Sequence, residues 1–177
     1  MLFTPLTRPA AVYKLALLVE KRRETRDGST LVFDAGPDWG PHQAGQHVQI
    51  QVDIDGRRRT RYFTISSGAH RDDGRFTLTV KAHPDGFVSR FLHTHARTGL
   101  VIQVSQPRGE FVLPAQRPDR LLLVSGGSGI TPGMSMLRTL LDEGHRGEVT
   151  FLHYCRTSSD RIFHDELDDI ARRHDNI

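Results

Sequence analysis

Between Leu121 and Pro132 the chain reads Leu-Leu-Leu-Val-Ser-Gly-Gly-Ser-Gly-Ile-Thr-Pro, and few local structures can use such a run. The apolar stretch is short enough for a buried parallel strand. Gly126, Gly127 and Gly129 then let the backbone turn sharply and approach a bulky group closely. A helix start is expected next, with Thr131 as N-cap and Pro132 at the first helical position. Such a helix offers unbonded N–H groups and the positive end of its dipole, a natural seat for an anion such as a dinucleotide pyrophosphate. A glycine-rich strand-to-helix turn with no ligand remains the alternative at this point.

Composition narrows the classes. With 37% hydrophobic and 25% charged residues over 177 positions, the chain has the balance of a globular protein. No stretch approaches the roughly 20 apolar residues of a membrane span. The apolar segment from Ala10 to Val19 is interrupted by Lys14 and lacks a clear cleavage site, so a cytoplasmic location is expected. The single cysteine, Cys155, rules out an internal disulfide, and a protein-held iron–sulfur cluster needs about four thiolates. Cys155 is expected to fill a small buried slot. The histidines show no metal-binding spacing and are read as solvated, so no metal site is expected. The run Arg57-Arg58-Arg59-Thr60-Arg61 has three readings: a solvated hairpin arm, a docking surface for an acidic redox partner, or a nucleic-acid patch. The last is disfavoured because no aromatic platform interleaves the arginines, and no nucleic-acid partner is expected.

The first hundred residues have the rhythm of short antiparallel strands. Val48, Ile50, Val52 and Ile54 alternate before Asp55-Gly56, a two-residue hairpin signal, and the chain returns through Arg61 to Ile65. Phe76, Leu78 and Val80 alternate again, as do Leu100, Ile102 and Val104. A small antiparallel barrel over residues 10–115 is predicted. Pro114 to Asp119 reads as a stiff linker. Beyond it, in 119–177, a strand (Leu121–Ser125), a helix (about Pro132–Glu143) and a strand (Val149–Tyr154) make a βαβ unit, with another helix from near Asp160. The fold class is thus β plus α/β, an antiparallel Greek-key barrel followed by part of a doubly wound parallel nucleotide-binding unit.

Two further segments accompany the glycine turn: Arg61-Tyr62-Phe63-Thr64 and Gly86-Phe87-Val88-Ser89. In this order the three resemble the ferredoxin-NADP reductase superfamily, whose motifs are Arg-x-Tyr-Ser/Thr, Gly-x-x-Ser/Thr and Gly-Gly-x-Gly-Ile-x-Pro. The resemblance runs from about Leu15 to the last residue. It implies FAD in the barrel, NADPH or NADH on the glycine turn, hydride delivery to flavin N5, and a one-electron acceptor such as a ferredoxin, an oxygenase or a desaturase. FMN remains an alternative to FAD. In the family the nucleotide-binding domain continues through further strands, so the resemblance implies a truncated second domain here. A 2Fe-2S centre would then lie in a partner or in a missing C-terminal domain. A flavin-binding module without turnover is the alternative this leaves open.

Site residues follow from the same resemblance. Arg61 would meet the FAD pyrophosphate, its planar fork suiting phosphate. Phe63 stands where the family has Tyr; it can stack on the flavin but lacks the hydroxyl. Strand alternation points Tyr62 to the opposite face, where it cannot compensate. Thr64, the catalytic candidate, would set its hydroxyl near N5, with Ser66 a lesser candidate. Val80 and Lys81 would offer backbone and cation contacts to the flavin nucleotide. Gly86, Val88 and Ser89 open a short helix that would bind the pyrophosphate. Gly126, Gly127, Gly129 and Thr131 would hold the second nucleotide. Arg156, past the next strand with no acid before Asp160, favours a 2′-phosphate and therefore NADPH.

Overall fold

A computed structural model describes residues 12–177. The predicted barrel start at residue 10, and part of the Ala10–Val19 segment, lie outside the described residues. Six antiparallel strands come first: β1 (Tyr13–Arg23), β2 (Gly28–Asp34), β3 (His47–Ile54), β4 (Arg57–Thr64), β5 (Arg75–Lys81) and β6 (Val101–Ser105). Helix α1 (Phe87–Thr94) is inserted between β5 and β6. The order in the sheet is β4-β3-β6-β1-β2-β5. The two edges meet just past β4, where Ile65 bridges Leu78 and Ser66 N–H donates to the Thr77 carbonyl at 2.9 Å. Asp55 and Gly56 both take positive φ (52° and 70°), the requirement of the tight turn their sequence signals.

Inside, Leu18, Leu31, Phe33, Ile50, Ile65, Phe76, Leu78, Leu92 and Ile102 are almost wholly buried. Each contributes roughly 1.5–3 kcal/mol by leaving water. Strand β2 was not marked by alternation, because nearly all of its residues are buried. Leu31 and Phe33 face the barrel core, while Thr30 and Val32 line a crevice of about 490 Å³ shared with Arg138 and Glu166 from the second half of the chain.

That half holds β7 (Arg120–Gly126) and β8 (Glu148–Tyr154), paired in parallel, with the crossover helix α2 (Ile130–Asp142) and then α3 (His164–Arg173). Four expectations are corrected. Strand β7 is not buried on both faces: Leu123 packs inward, but Leu122 and Val124 are 59% and 61% exposed, beside exposed Leu152 and Tyr154 on β8. Both helices pack into the cluster on the other face. Helix α2 starts before Thr131, because Gly127–Gly129 form a 3-10 turn that leads straight into it. Thr131 then lies within the first turn, and Pro132 is tolerated there because its missing N–H would have had no partner. The last helix begins at His164, after a separate 3-10 turn at Ser158–Asp160; Phe163 interposes with left-handed backbone (φ 61°), its N–H held by the Glu24 carboxylate at 3.3 Å. Finally, Cys155 is exposed, since it follows the end of β8 and leaves the packed face with the strand.

The linker is tied down. Arg117 donates to both carboxylate oxygens of Glu143 at 2.8 and 2.7 Å, and to the Pro114 carbonyl. His70 reaches the same carboxylate at 2.9 Å, so the end of α2 gathers linker and barrel together. These partners, Arg117 foremost, hold the Glu143 carboxyl at about 2 instead of 4.5. A depressed carboxyl stabilises the fold above its unfolded value and loses that contribution as pH falls towards the folded one. Glu143→Gln should therefore lower the melting temperature at pH 7, and the gap from the wild type should close between pH 4.5 and about 2 in a pH series of thermal melts.

Candidate active site

Strand β4 lies at the edge of the sheet order, and its alternation decides what faces the groove beside α1. Arg57, Arg59, Arg61 and Phe63 stand opposite Ile54, Val52, Ile50 and Val48 of β3, and so on the same face. The β3 side chains are buried; the β4 side chains are not, because that face of β4 is largely charged. Phe63 is half-buried against the core. The Arg59 guanidinium lies 5.0 Å from the Phe87 ring centroid, and its Nε is buried without a partner. Arg61 is exposed, and among the described residues it donates only to the Thr60 carbonyl, at 2.8 Å. The groove thus presents an aromatic ring, an unpaired buried donor and a cation with no carboxylate partner.

The opposite face of β4 carries Tyr62, whose ring meets His47 edge-on at 5.6 Å and whose hydroxyl accepts from Gln49 Nε2 at 3.0 Å. It points away from Phe63 and supplies no hydroxyl there. Thr64 ends the strand half-buried, and its side chain bonds to no described residue. Ser66 is different: it is fully buried, and its hydroxyl lies 2.8 and 2.9 Å from those of Thr77 and Thr79. Its place is the packing between barrel and second half, because the strand has already turned inward at Ile65.

At α1 the Gly-x-x-Ser segment closes on itself. A Cβ on Gly86 would stand 2.4 Å from Ser89 Oγ and 3.0 Å from His83 Cβ. Ser89 Oγ donates to the Gly86 carbonyl at 3.1 Å and accepts from His83 N–H at 3.4 Å, so it shapes the turn instead of standing open to a ligand. Val88 and Val80 are core side chains, which leaves only their backbones to the groove. The first turn of α1 has no acid to oppose an anion. Lys81, half-buried, sits 3.5 Å from Asp27.

The glycine turn lies beside β5, the strand that runs into the Gly86 turn. Gly127 has φ +52°, and a Cβ added at Gly127 or Gly129 would meet nothing within 4 Å. These glycines border open space, where side chains would obstruct an approaching ligand. Gly126 ends β7 level with Tyr154 of β8, the carboxyl edge where α/β sheets receive nucleotides. The Thr131 hydroxyl is engaged with the Ser128 carbonyl at 3.3 Å, so it braces the turn. Arg156 is exposed on the loop after β8.

Two histidines depart from the solvated reading: His42 is 7% exposed, and His153 pairs with Ser125. His153 stands in register with Ser125, and its Nδ1 is 2.9 Å from Ser125 Oγ. Burial first, then Arg161 and Lys81, lowers its pKa, which keeps it neutral at pH 7. The alternation of β8 places His153 on the Val149 and Phe151 face, and that signal is visible in the sequence. Among the described residues no cluster of metal-binding side chains occurs, and no helix is long and apolar enough to cross a membrane.

Residues 15–113 match the oxidoreductase FAD-binding domain, and residues 123–177 match the oxidoreductase NAD-binding domain. The chain belongs to the ferredoxin-NADP reductase-like family of flavin oxidoreductases. It is 41% identical over 158 residues to the NADPH oxidoreductase of Mycobacterium tuberculosis, covering 86% of this chain and 41% of that protein. The reductase subunit of glycine betaine monooxygenase from Chromohalobacter salexigens is 39% identical over 152 residues, 85% of this chain and 41% of that subunit. Among solved structures, the FAD/NAD-binding domain of the nitric oxide dioxygenase of Vibrio cholerae superposes with a TM-score of 0.82 at 26% identity, over 90% of this chain and 70% of that one. The chain thus spans about two fifths of the length of these curated relatives. The family's FAD-binding and NAD-binding units are both represented.

The tightness at Gly86 is testable without any ligand. Gly86→Ala must push the Ser89 hydroxyl off the Gly86 carbonyl, at about 1 kcal/mol for a lost hydrogen bond. In a Ser89→Ala background the added methyl group meets less, so the double mutant should be more stable than the sum of the single effects predicts. Urea unfolding of the four proteins measures that coupling.

Proposed function

We propose that the chain is the flavin- and nucleotide-binding portion of an NADPH-dependent electron-transfer reductase. The observation that carries this is the groove beside β4, where Arg61, Phe63 and the orphaned Arg59 Nε face the tight Gly86 turn. Those groups suit FAD: an anionic pyrophosphate, a flat ring system, and acceptors for buried donors. When bound, FAD supplies the redox chemistry, accepting a hydride at N5 and releasing electrons one at a time. The protein's part is placement. Arg61 and the backbone N–H groups at the start of α1 would hold the pyrophosphate, Phe63 would pack on the flavin ring, and the Thr64 hydroxyl would offer a hydrogen bond to it. Gly126, Gly127 and Gly129 admit the nicotinamide nucleotide at the carboxyl ends of β7 and β8.

Arg156 supports NADPH over NADH. The nearest acid along the loop, Asp160, already accepts from the Thr157 hydroxyl at 3.0 Å. The likeness to a protein named for NADPH points the same way. The acceptor we propose is a ferredoxin-type centre or an oxygenase or desaturase component, in keeping with the monooxygenase subunit among the relatives. The exposed arginines of the β3–β4 hairpin suit an acidic partner. A cytoplasmic setting goes with this reading, supported by a lone cysteine and no disulfide.

A second reading, flavin binding without turnover, draws on the open face formed by Leu122, Val124, Leu152 and Tyr154. One experiment separates the two. The purified chain, loaded with FAD and held anaerobic, should lose its flavin absorbance on addition of NADPH and more slowly with NADH, and Arg156→Ala should narrow that preference. Flavin bands that persist with both donors would select the binding module; no flavin uptake by a folded chain would dismiss both readings.

A further inference from the structure

Helix α2 begins at the glycine turn and presents a polar stripe, Ser135, Arg138, Thr139 and Asp142, at the spacing of one helical face. That stripe lies along the backbone that follows Thr64. Arg138 Nη1 donates to the Ser66 carbonyl at 2.5 Å, Ser135 Oγ to the Ser67 carbonyl at 2.8 Å, and Ala69 N–H donates to Thr139 Oγ1 at 3.0 Å. Contact at Gly68 is close enough that an added Cβ would stand 2.7 Å from Asp142 Oδ2. Arg138 is itself held from two further sides. It forms a bidentate pair with Glu166 of α3 at 2.7 and 2.5 Å, and its guanidinium lies 4.7 Å from the Phe163 ring centroid.

Apolar neighbours already provide adhesion across this junction, since Ala44 and Leu113 from the barrel side cluster with Met134, Met136 and Leu137 of α2. Apolar contact is non-directional. Hydrogen bonds to successive backbone groups fix register, because a slide of one residue breaks all of them together.

We propose that Arg138, assisted by Ser135 and Thr139, is a positioning residue for hydride transfer. One rigid helix carries the nicotinamide turn at its N-terminus and, about 12 Å further along, grips the segment leaving the flavin strand. The helix thereby sets the gap between the two rings. This inference rests on the proposed function, and hydride transfer is the step most sensitive to such a gap: a displacement of about 1 Å can cost about 100-fold in rate.

The test uses the FAD-loaded protein with Arg138→Met, Arg138→Lys and Thr139→Val. The rate of flavin bleaching at saturating NADPH should fall about 10- to 100-fold in Arg138→Met. FAD affinity and the NADPH concentration for half-maximal rate should stay within about threefold, the signature of an interaction expressed in the reacting geometry alone. Lysine, which still donates to the Ser66 carbonyl, should restore much of the rate. In the flavin-free protein, amide hydrogen exchange at Ala69 should quicken in Thr139→Val and in Arg138→Met. An Ala69 exchange rate unmoved in both variants, or a saturated bleaching rate unchanged in Arg138→Met, would overturn the proposal. So would a rate loss matched by an equal loss of FAD affinity and not rescued by lysine. A wild type that binds FAD but never bleaches with NADPH removes the proposed function itself, and the positioning role with it.

Discussion

An arginine cannot be buried unpaired among aliphatic side chains, and β4 carries three on the face that its neighbour β3 devotes to the core. That conflict shapes the molecule. Strand β4 keeps Arg57 and Arg61 exposed and Arg59 half-buried, and the two sheet edges meet only past it, where Ile65 bridges Leu78. Beside that strand, the Arg59 guanidinium lies over the Phe87 ring of α1, the face proposed above for the flavin. The same charges that leave the wall exposed supply the face proposed for the flavin, with Phe63 packed against the core.

The second half of the chain meets the barrel through polar contacts as well as the apolar cluster around Ala44 and Leu113. The outward faces of β2 and β5 carry Thr30, Thr77 and Thr79, whose hydroxyls join one another and Ser66 in a buried network. Glu24 extends it, accepting from Thr30 at 2.6 Å and from the strained Phe163 backbone at 3.3 Å. Buried hydroxyls bonded in this way are satisfied without a strongly apolar interface. The bonds that cross to the α/β unit are those of Glu24 to Phe163 and of Arg138, Ser135 and Thr139 to the Ser66–Ala69 backbone, and their directionality favours one arrangement of the two halves.

Much of this was legible from local chemistry. The alternation of β3, the Asp55-Gly56 turn and the run from Leu121 into the glycines each obey a short-range rule, and each element stands where that rule puts it. Strand β2 was invisible because a strand covered on both faces loses its alternation. Thr131 was misjudged as a cap because three glycines permit a 3-10 turn that no propensity scale anticipates. The loop between β8 and α3 was misjudged because Phe163 is held left-handed by Glu24, a partner 139 residues away along the chain. Within the site, Arg61 and Phe63 could be placed on one face by counting in twos. The engagement of Ser66 and Ser89 with neighbours could not, since a hydroxyl's partner depends on tertiary packing. Arg138, Ser135 and Thr139 gave no motif at all; their role appears only once α2 lies across the Ser66–Ala69 backbone.

The most direct measurement is a crystal structure of the chain with FAD bound. The pyrophosphate should lie within hydrogen-bond reach of Arg61 and the first N–H groups of α1, with the flavin ring against Phe63 and its N5 edge near Thr64. A flavin seated elsewhere, or one held at the glycine turn with the β4 groove filled only by solvent, would contradict the account.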